Sequence, residues 1–290
     1  VPEAALRALD LSVRRRVAAL LTGEFRSAQL GSATELAQLR PYVPGDDVRQ
    51  IDWNATARTD EVHVRVDVAE RILTAWLVLD TSASMHFGSA DRRKADVAEG
   101  VVLALGLVAS RHGNRLGLIT FGGANPAVRP PRQGRAGLVA TLLALRDQRE
   151  PEAAGATSFG HALERASRIA RQRAHLAVVT DLRGPHDWQD GLRMVAQRHD
   201  VLVIEIRDPR EDALPDVGEL ALVDPETGEH LRVDTRSRRL RERFAEAARR
   251  DRAQAAEAVR RAGADHVVLP TEGDWLRPLL VATARRRHHR

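Results

Sequence analysis

The stretch TAWLVLDTSAS, residues 74–84, decides how the chain folds. From Ala75 to Leu79 it is apolar without alternation, the pattern of a parallel strand covered on both faces. It then ends in Asp80, followed by Thr81, Ser82, Ala83 and Ser84. A carboxylate and three hydroxyls at the mouth of a buried strand ask for a turn, a cap or a ligand.

The segments around it keep one rhythm. KADVAEGVVLALGLVASRHG (94–113) has the apolar spacing of a helix and RLGLITFG (115–122) reads as a strand. Helices are predicted over 136–148 and 159–173, a strand over 175–181, a helix over 188–199 and a strand over 200–208. Residues 218–235 read as a hairpin turning at Asp224-Pro225-Glu226-Thr227-Gly228. A charged helix follows from about Ser237 to Ala262, then a strand over 264–270 and a helix over 274–287. Alternating strands and helices predict a doubly wound, mostly parallel α/β sheet flanked by helices. Upstream, residues 4–22 have helical spacing and 63–72 alternate like a strand. This suggests an N-terminal helix and β/turn extension over 1–72, an α/β domain over 73–290, and the hairpin as an insertion.

Composition narrows the chemistry. The chain has 290 residues and no cysteine, which excludes disulfides, thiolate catalysis and cysteine-ligated zinc. No apolar stretch is long enough to span a membrane, and no N-terminal segment resembles a secretion signal, so the chain reads as cytoplasmic. Lys94 is the only lysine among 45 basic residues, and it lacks the glycine-rich loop of a P-loop ATPase. The 40 acidic residues are interleaved with the basic ones, and net charge is only +5. Runs such as Arg14-Arg15-Arg16 and Arg285-Arg286-Arg287 read as solvated faces rather than a nucleic-acid interface.

In open α/β sheets ligands gather at the carboxyl ends of the strands. Three features meet there: Asp80 with Ser82 and Ser84, Thr157 in GATSFGHALERA, and Asp181 at the end of HLAVVTD. Taken singly, each also suits a strand-end turn or a helix cap. Together they form a hard oxygen set suited to Mg²⁺ or Mn²⁺. With only two formal negative charges, such a set leaves the metal electrophilic and able to accept a carboxylate from another protein.

The pattern resembles the metal-ion-dependent adhesion site of von Willebrand factor type A domains. The resemblance maps Asp-x-Ser-x-Ser, a distant Thr and a distant Asp onto Asp80, Ser82, Ser84, Thr157 and Asp181. It departs where such domains often carry Gly after the last Asp and this chain carries Leu182. The segment LRPYVPGDDVRQIDWNATARTDEVHVRV (39–66) resembles the signature of a bacterial family of unknown function that couples this element to a von Willebrand type A-like domain. That resemblance implies a gene context shared with MoxR-type AAA+ ATPases, and hence an adaptor or co-chaperone acting on a client that offers a carboxylate. Within the signature, Asp46, Asp47, Arg49, Asp52 and Arg58 suggest an ion-pair net, and Trp53 an anchor in an apolar pocket. The other reading makes Arg40, Tyr42, Asp46, Asp47, Arg49, Asp52 and Trp53 a docking surface.

A rival reading is phosphoryl transfer from Asp80. It requires a second acid at position 82, which is Ser, and a balancing lysine, whereas Lys94 stands in the wrong sequence context. No nucleophile elbow, zinc-protease helix or dinucleotide fingerprint is present. The sequence therefore reads as a metal-dependent binding module and not an enzyme.

Overall fold

The structure, a computed structural model, describes residues 38–66, 73–89, 91–111, 114–123, 125–134, 137–139, 141–142, 158–184, 186–225 and 227–288. The chain divides into two compact units, one spanning Arg16–Ile72 and the other combining Val1–Arg15 with Leu73–Arg290. The helix expected over 4–22, the strand continuation over 67–72, residues 143–148 and Thr157 lie outside the described residues.

In the smaller unit, β1 (Gln38–Pro41) pairs antiparallel with β2 (His63–Val66). Between them lies the short helix α1 (Trp53–Thr59). Its seven residues carry no apolar stripe, and its start is set by Asp52, which accepts from the backbone N–H groups of Asn54 and Ala55 at 3.0 Å. Asp60 ends it in the left-handed conformation, with φ of 61°. Arg40 binds Asp46 through two hydrogen bonds of 2.6 and 2.7 Å, and Asp46 also accepts from the Val43 backbone N–H. Asp47 caps the 3-10 turn Val48–Gln50. Of the expected net of Asp46, Asp47, Arg49, Asp52 and Arg58, Asp46 pairs instead with Arg40, which lay outside it, and Asp47 and Asp52 serve as caps. Trp53 does not fill a pocket: at 69% exposure it is among the most exposed large apolar side chains described. Its place is the first turn of a helix with no buried residue.

The larger unit is built on a six-stranded sheet of order β10-β7-β6-β3-β4-β5. Its strands are β3 (Thr74–Asp80), β4 (Arg115–Phe121), β5 (Val128–Gln133), β6 (His175–Thr180), β7 (Asp200–Arg207) and β10 (Asp265–Pro270). All pairings are parallel except β4 with β5. Strand β3 lies in the middle because its residues are apolar on both faces. Trp76 and Val78 join one hydrophobic cluster with Ile119, Phe121, Leu176 and Val203. Leu77 and Leu79 point the other way by alternation and are equally buried. Each such side chain stabilises the fold by roughly 1.5–3 kcal/mol relative to exposure.

Helices close both faces. Helix α3 (Phe159–Ile169) and α4 (Gln189–Arg198) bury Ala162, Leu163, Leu192 and Val195 in that first cluster, and α5 (Arg238–Arg261) adds Ala255, Ala258 and Val259. Helix α2 (Lys94–Arg111) packs on β3, β4 and β7 with Val97, Val101 and Val102 fully buried, and α6 (Leu276–His288) packs along β10. The hairpin β8 (Glu219–Val223) and β9 (His230–Asp234) forms a separate two-stranded sheet. The expected doubly wound architecture is therefore present. Two elements were not foreseen in it: β5 at the edge, and an earlier end to α3.

Candidate metal-binding site at the sheet switch point

From β3 the chain proceeds through β4 to β5 on one side, then returns to β6 on the other. The connections leaving β3 and β6 thus diverge, and the crevice between them is where open α/β sheets bind ligands. Leu79 pairs with Val179, so the two strands release their next residues at the same level. Asp80 leaves β3 there, and Thr180 and Asp181 leave β6.

Asp80 is buried, at 7% exposure, and both its oxygens are engaged by neutral donors. Oδ1 accepts from the Ser82 backbone N–H at 3.0 Å and Oδ2 from the Thr180 hydroxyl at 2.7 Å. Ser82 and Ser84 lie on the 3-10 turn that follows, their hydroxyl oxygens 3.0 Å apart. The loop is held from the β4 side. Thr81 donates both its backbone N–H and its hydroxyl to the Phe121 carbonyl, each at 2.8 Å. Gly122 follows at a φ of 79°, and a Cβ there would stand 2.8 Å from both Asp80 Oδ1 and Ser82 Cβ. Only glycine lets the β4 exit approach so closely.

Asp181 is in a different state. Its Oδ2 accepts from Lys94 Nζ at 2.6 Å and its Oδ1 from the Arg183 backbone N–H at 3.0 Å. The same ammonium donates to Glu211 Oε1 at 2.6 Å. Lys94 is fully buried. Burial pulls its pKa down, but Asp181 and Glu211 outweigh that and hold it above the ordinary lysine value. Asp80 has no such cation among the described residues. Burial first, and the neighbouring Asp181 charge second, push its carboxyl up to about 7, against the pull of its Ser82 and Thr180 hydrogen bonds.

Of the five residues expected to hold a metal, Asp80, Ser82 and Ser84 are brought together, and Asp181 lies at the neighbouring strand end. Thr157 is outside the described residues. Ser158, beside it, caps α3 by accepting from the His161 backbone N–H. Leu182 has a φ of 55°, which is why this position suits glycine, and here a buried leucine bears the strain. Among the described residues no group of three or more His, Cys, Asp or Glu is gathered as a metal cluster. The donor set is one uncompensated carboxylate with hydroxyls, which fits a hard cation. Asp181 is already paired.

Lys94 is a correction to the sequence reading, which set it aside. It lies 87 residues from Asp181 in sequence, yet its ammonium is inside the site. Its being the only lysine was the one available signal. Glu211 carried none.

Sheet order and the oxygen-lined crevice define an open, mostly parallel α/β domain with a polar switch point. The chain belongs to the family described as "Protein of unknown function DUF58", whose model matches residues 38–254. "Uncharacterized protein Rv1480" of Mycobacterium tuberculosis and "Uncharacterized protein Mb1516" of Mycobacterium bovis are each 38% identical over 284 residues, spanning 98% of this chain and 89% of their own. Among solved structures, the conserved hypothetical protein BatB from Bacteroides thetaiotaomicron matches with a TM-score of 0.47 at 16% identity, covering 74% of this chain and 98% of that one. A von Willebrand factor type A protein from Catenulispora acidiphila matches at 0.37 and 18%, covering 62% and 42%. No helix among the described residues is long and apolar enough to cross a membrane.

Proposed function

We propose that the larger unit is a metal-dependent protein-binding module and not an enzyme. Asp80, Ser82 and Ser84 would hold Mg²⁺ or Mn²⁺, with Thr157 and Asp181 completing the polar surround. A cation bound there offers a coordination position to a carboxylate on another protein. The observation that carries this reading is Asp80: a buried carboxylate with neutral donors only, beside a pair of serine hydroxyls, at the switch point. Burying such a charge is costly unless something positive joins it.

The partner half of the reading rests on the family resemblance. It makes the protein a cytoplasmic adaptor or co-chaperone for a MoxR-type AAA+ ATPase acting on a client complex. Arg40, Tyr42, Asp46, Asp47, Arg49, Asp52 and Trp53 are its candidate partner contacts, and the exposure of Trp53 supports that use.

Calorimetric titration with Mn²⁺ tests the metal. Wild type should bind and Asp80→Ala should not; equal heats from both would remove the site. Retention of the ATPase on immobilised protein, in Mg²⁺ and again in chelator, tests the partner.

One observation favours a second reading, phosphoryl transfer from Asp80: a buried lysine does stand in the site. Against it, the Lys94 charge is divided between Asp181 and Glu211, and position 82 remains Ser. Asp80-dependent hydrolysis of a phosphate ester by the purified protein would reverse the preference.

A further inference from the structure

We propose that Lys94 is a built-in cation that keeps Asp181 out of direct metal ligation and thereby sets the affinity of the site for divalent ions. This inference rests on the metal reading above and concerns its regulation.

The placement of Lys94 makes no sense for the helix it begins. It opens α2, where the partial positive charge of the helix disfavours a cation. Its aliphatic stem and ammonium are wholly buried, and a buried charge persists only when paired and hydrogen-bonded. Two carboxylates supply this, each at 2.6 Å. Asp181 therefore has one oxygen on Lys94 and the other on the Arg183 N–H. A metal seated on Asp80, Ser82 and Ser84 meets an Asp181 whose charge is already answered.

Glu211 ties the arrangement to a second loop. It sits in the 3-10 turn Pro209–Glu211 after β7, where its Oε2 accepts from the Asp208 backbone N–H at 3.2 Å. Asp208 is itself buried and accepts from Ser89, just beyond the Ser82–Ser84 turn, and from Thr271 at 2.8 Å. The lysine is thus clamped from both sides, and its charge is a fixed part of the site. Asp80, Asp181 and Glu211 against Lys94 and Arg183, whose guanidinium stands 3.9 Å from Glu211, still leave the cluster net negative. Removing the lysine charge deepens that negative potential, and removing the Glu211 charge weakens it.

The test is Mn²⁺ titration calorimetry on wild type, Lys94→Met, Glu211→Gln and Asp80→Ala, each first checked for native circular dichroism. Lys94→Met should bind Mn²⁺ about tenfold or more tighter than wild type, and Glu211→Gln should bind more weakly, the opposite signs that removing a positive and a negative charge beside a cation produce. Opposite shifts are what a merely structural role for the triad does not produce. A folded Lys94→Met with unchanged or weaker affinity overturns the proposal. If Lys94→Met does not fold, Glu211→Gln decides: weaker binding supports it, and unchanged or tighter binding overturns it. Equal binding by wild type and Asp80→Ala sinks the metal reading itself and this inference with it. Asp80-dependent binding that ignores the other two substitutions sinks this inference alone.

Discussion

Asp80→Asn should stabilise the metal-free protein at pH 8 and do nothing comparable at pH 5. The Asp80 carboxyl is raised from the ordinary value of 3.8 to about 7, chiefly by burial. The native state therefore holds this proton more tightly than the unfolded chain does. The stabilisation from the protonated group is complete below the ordinary value, falls as pH rises between 3.8 and about 7, and is gone above that. At about 1.4 kcal/mol per tenfold in proton affinity, keeping Asp80 ionised at pH 8 costs the native state on the order of 4 kcal/mol. The amide of asparagine removes that charge. Its oxygen can still accept from the Ser82 N–H, but its nitrogen faces the Thr180 hydroxyl, which must turn to accept, at about 1 kcal/mol. The expected net gain is about 2–3 kcal/mol at pH 8. Urea unfolding followed by circular dichroism in chelator, at both pH values, measures it. The same difference at pH 5 and pH 8 would refute the assignment of a strained, uncompensated carboxylate. Saturating Mn²⁺ at about one hundred times its dissociation constant should then add about 2.7 kcal/mol to wild type and nothing to Asp80→Asn.

Three further substitutions probe what holds the site. Gly122→Ala places a methyl 2.8 Å from Asp80 Oδ1 at a left-handed φ, and should cost about 1–3 kcal/mol in urea melts while weakening Mn²⁺ binding. Asp208→Ala leaves the buried Thr271 hydroxyl and the part-buried Ser89 N–H without their acceptor, and should cost about 1–3 kcal/mol by the same assay. Burial pushes the Asp208 carboxyl up, but the Ser89, Arg210 and Thr271 donors outweigh it and hold the value below the usual range. Its stabilisation is accordingly present above the ordinary carboxylate range and lost on acidification, so the deficit of the variant should shrink toward pH 3. Leu163→Ala empties a fully buried position between α3 and the sheet and should cost about 2–5 kcal/mol without changing Mn²⁺ affinity.

What the sequence made legible was whatever a short-range pattern encodes. β3, β4, β6 and β7 are mostly apolar runs, interrupted within β7 by Glu205, and their order on the page is enough to imply a parallel sheet. Strand β5 hid because VRPPRQ contains two prolines and two arginines. It is an edge strand, paired only with β4, and its register shifts opposite Leu116 and Leu118, where Pro130 and Pro131 cost no ladder hydrogen bond. Helix α1 hid because a cap and not an apolar face sets it. The Asp80 to Ser84 motif was readable because its oxygens are two residues apart. The Lys94 pairings were not, since they span 87 and 117 residues and follow only from where α2 and the turn after β7 are carried by the sheet.

The two carboxylates at the switch point have been treated unequally by the fold. Neighbouring parallel strands that release Asp80 level with Thr180, with Asp181 one residue further on, bring like charges together, and a purely structural solution was available for both. The chain took it for Asp181 by burying its only lysine there. It left Asp80 with a serine N–H and a threonine hydroxyl, donors that an asparagine could satisfy almost as well. An acid at a position where the neutral isostere is the more stable choice, within 3.0 Å of donors that do not neutralise it, carries a cost that no cation among the described residues offsets. On the proposed reading the offset is a bound divalent ion, and the lysine beside it limits how tightly the ion is held.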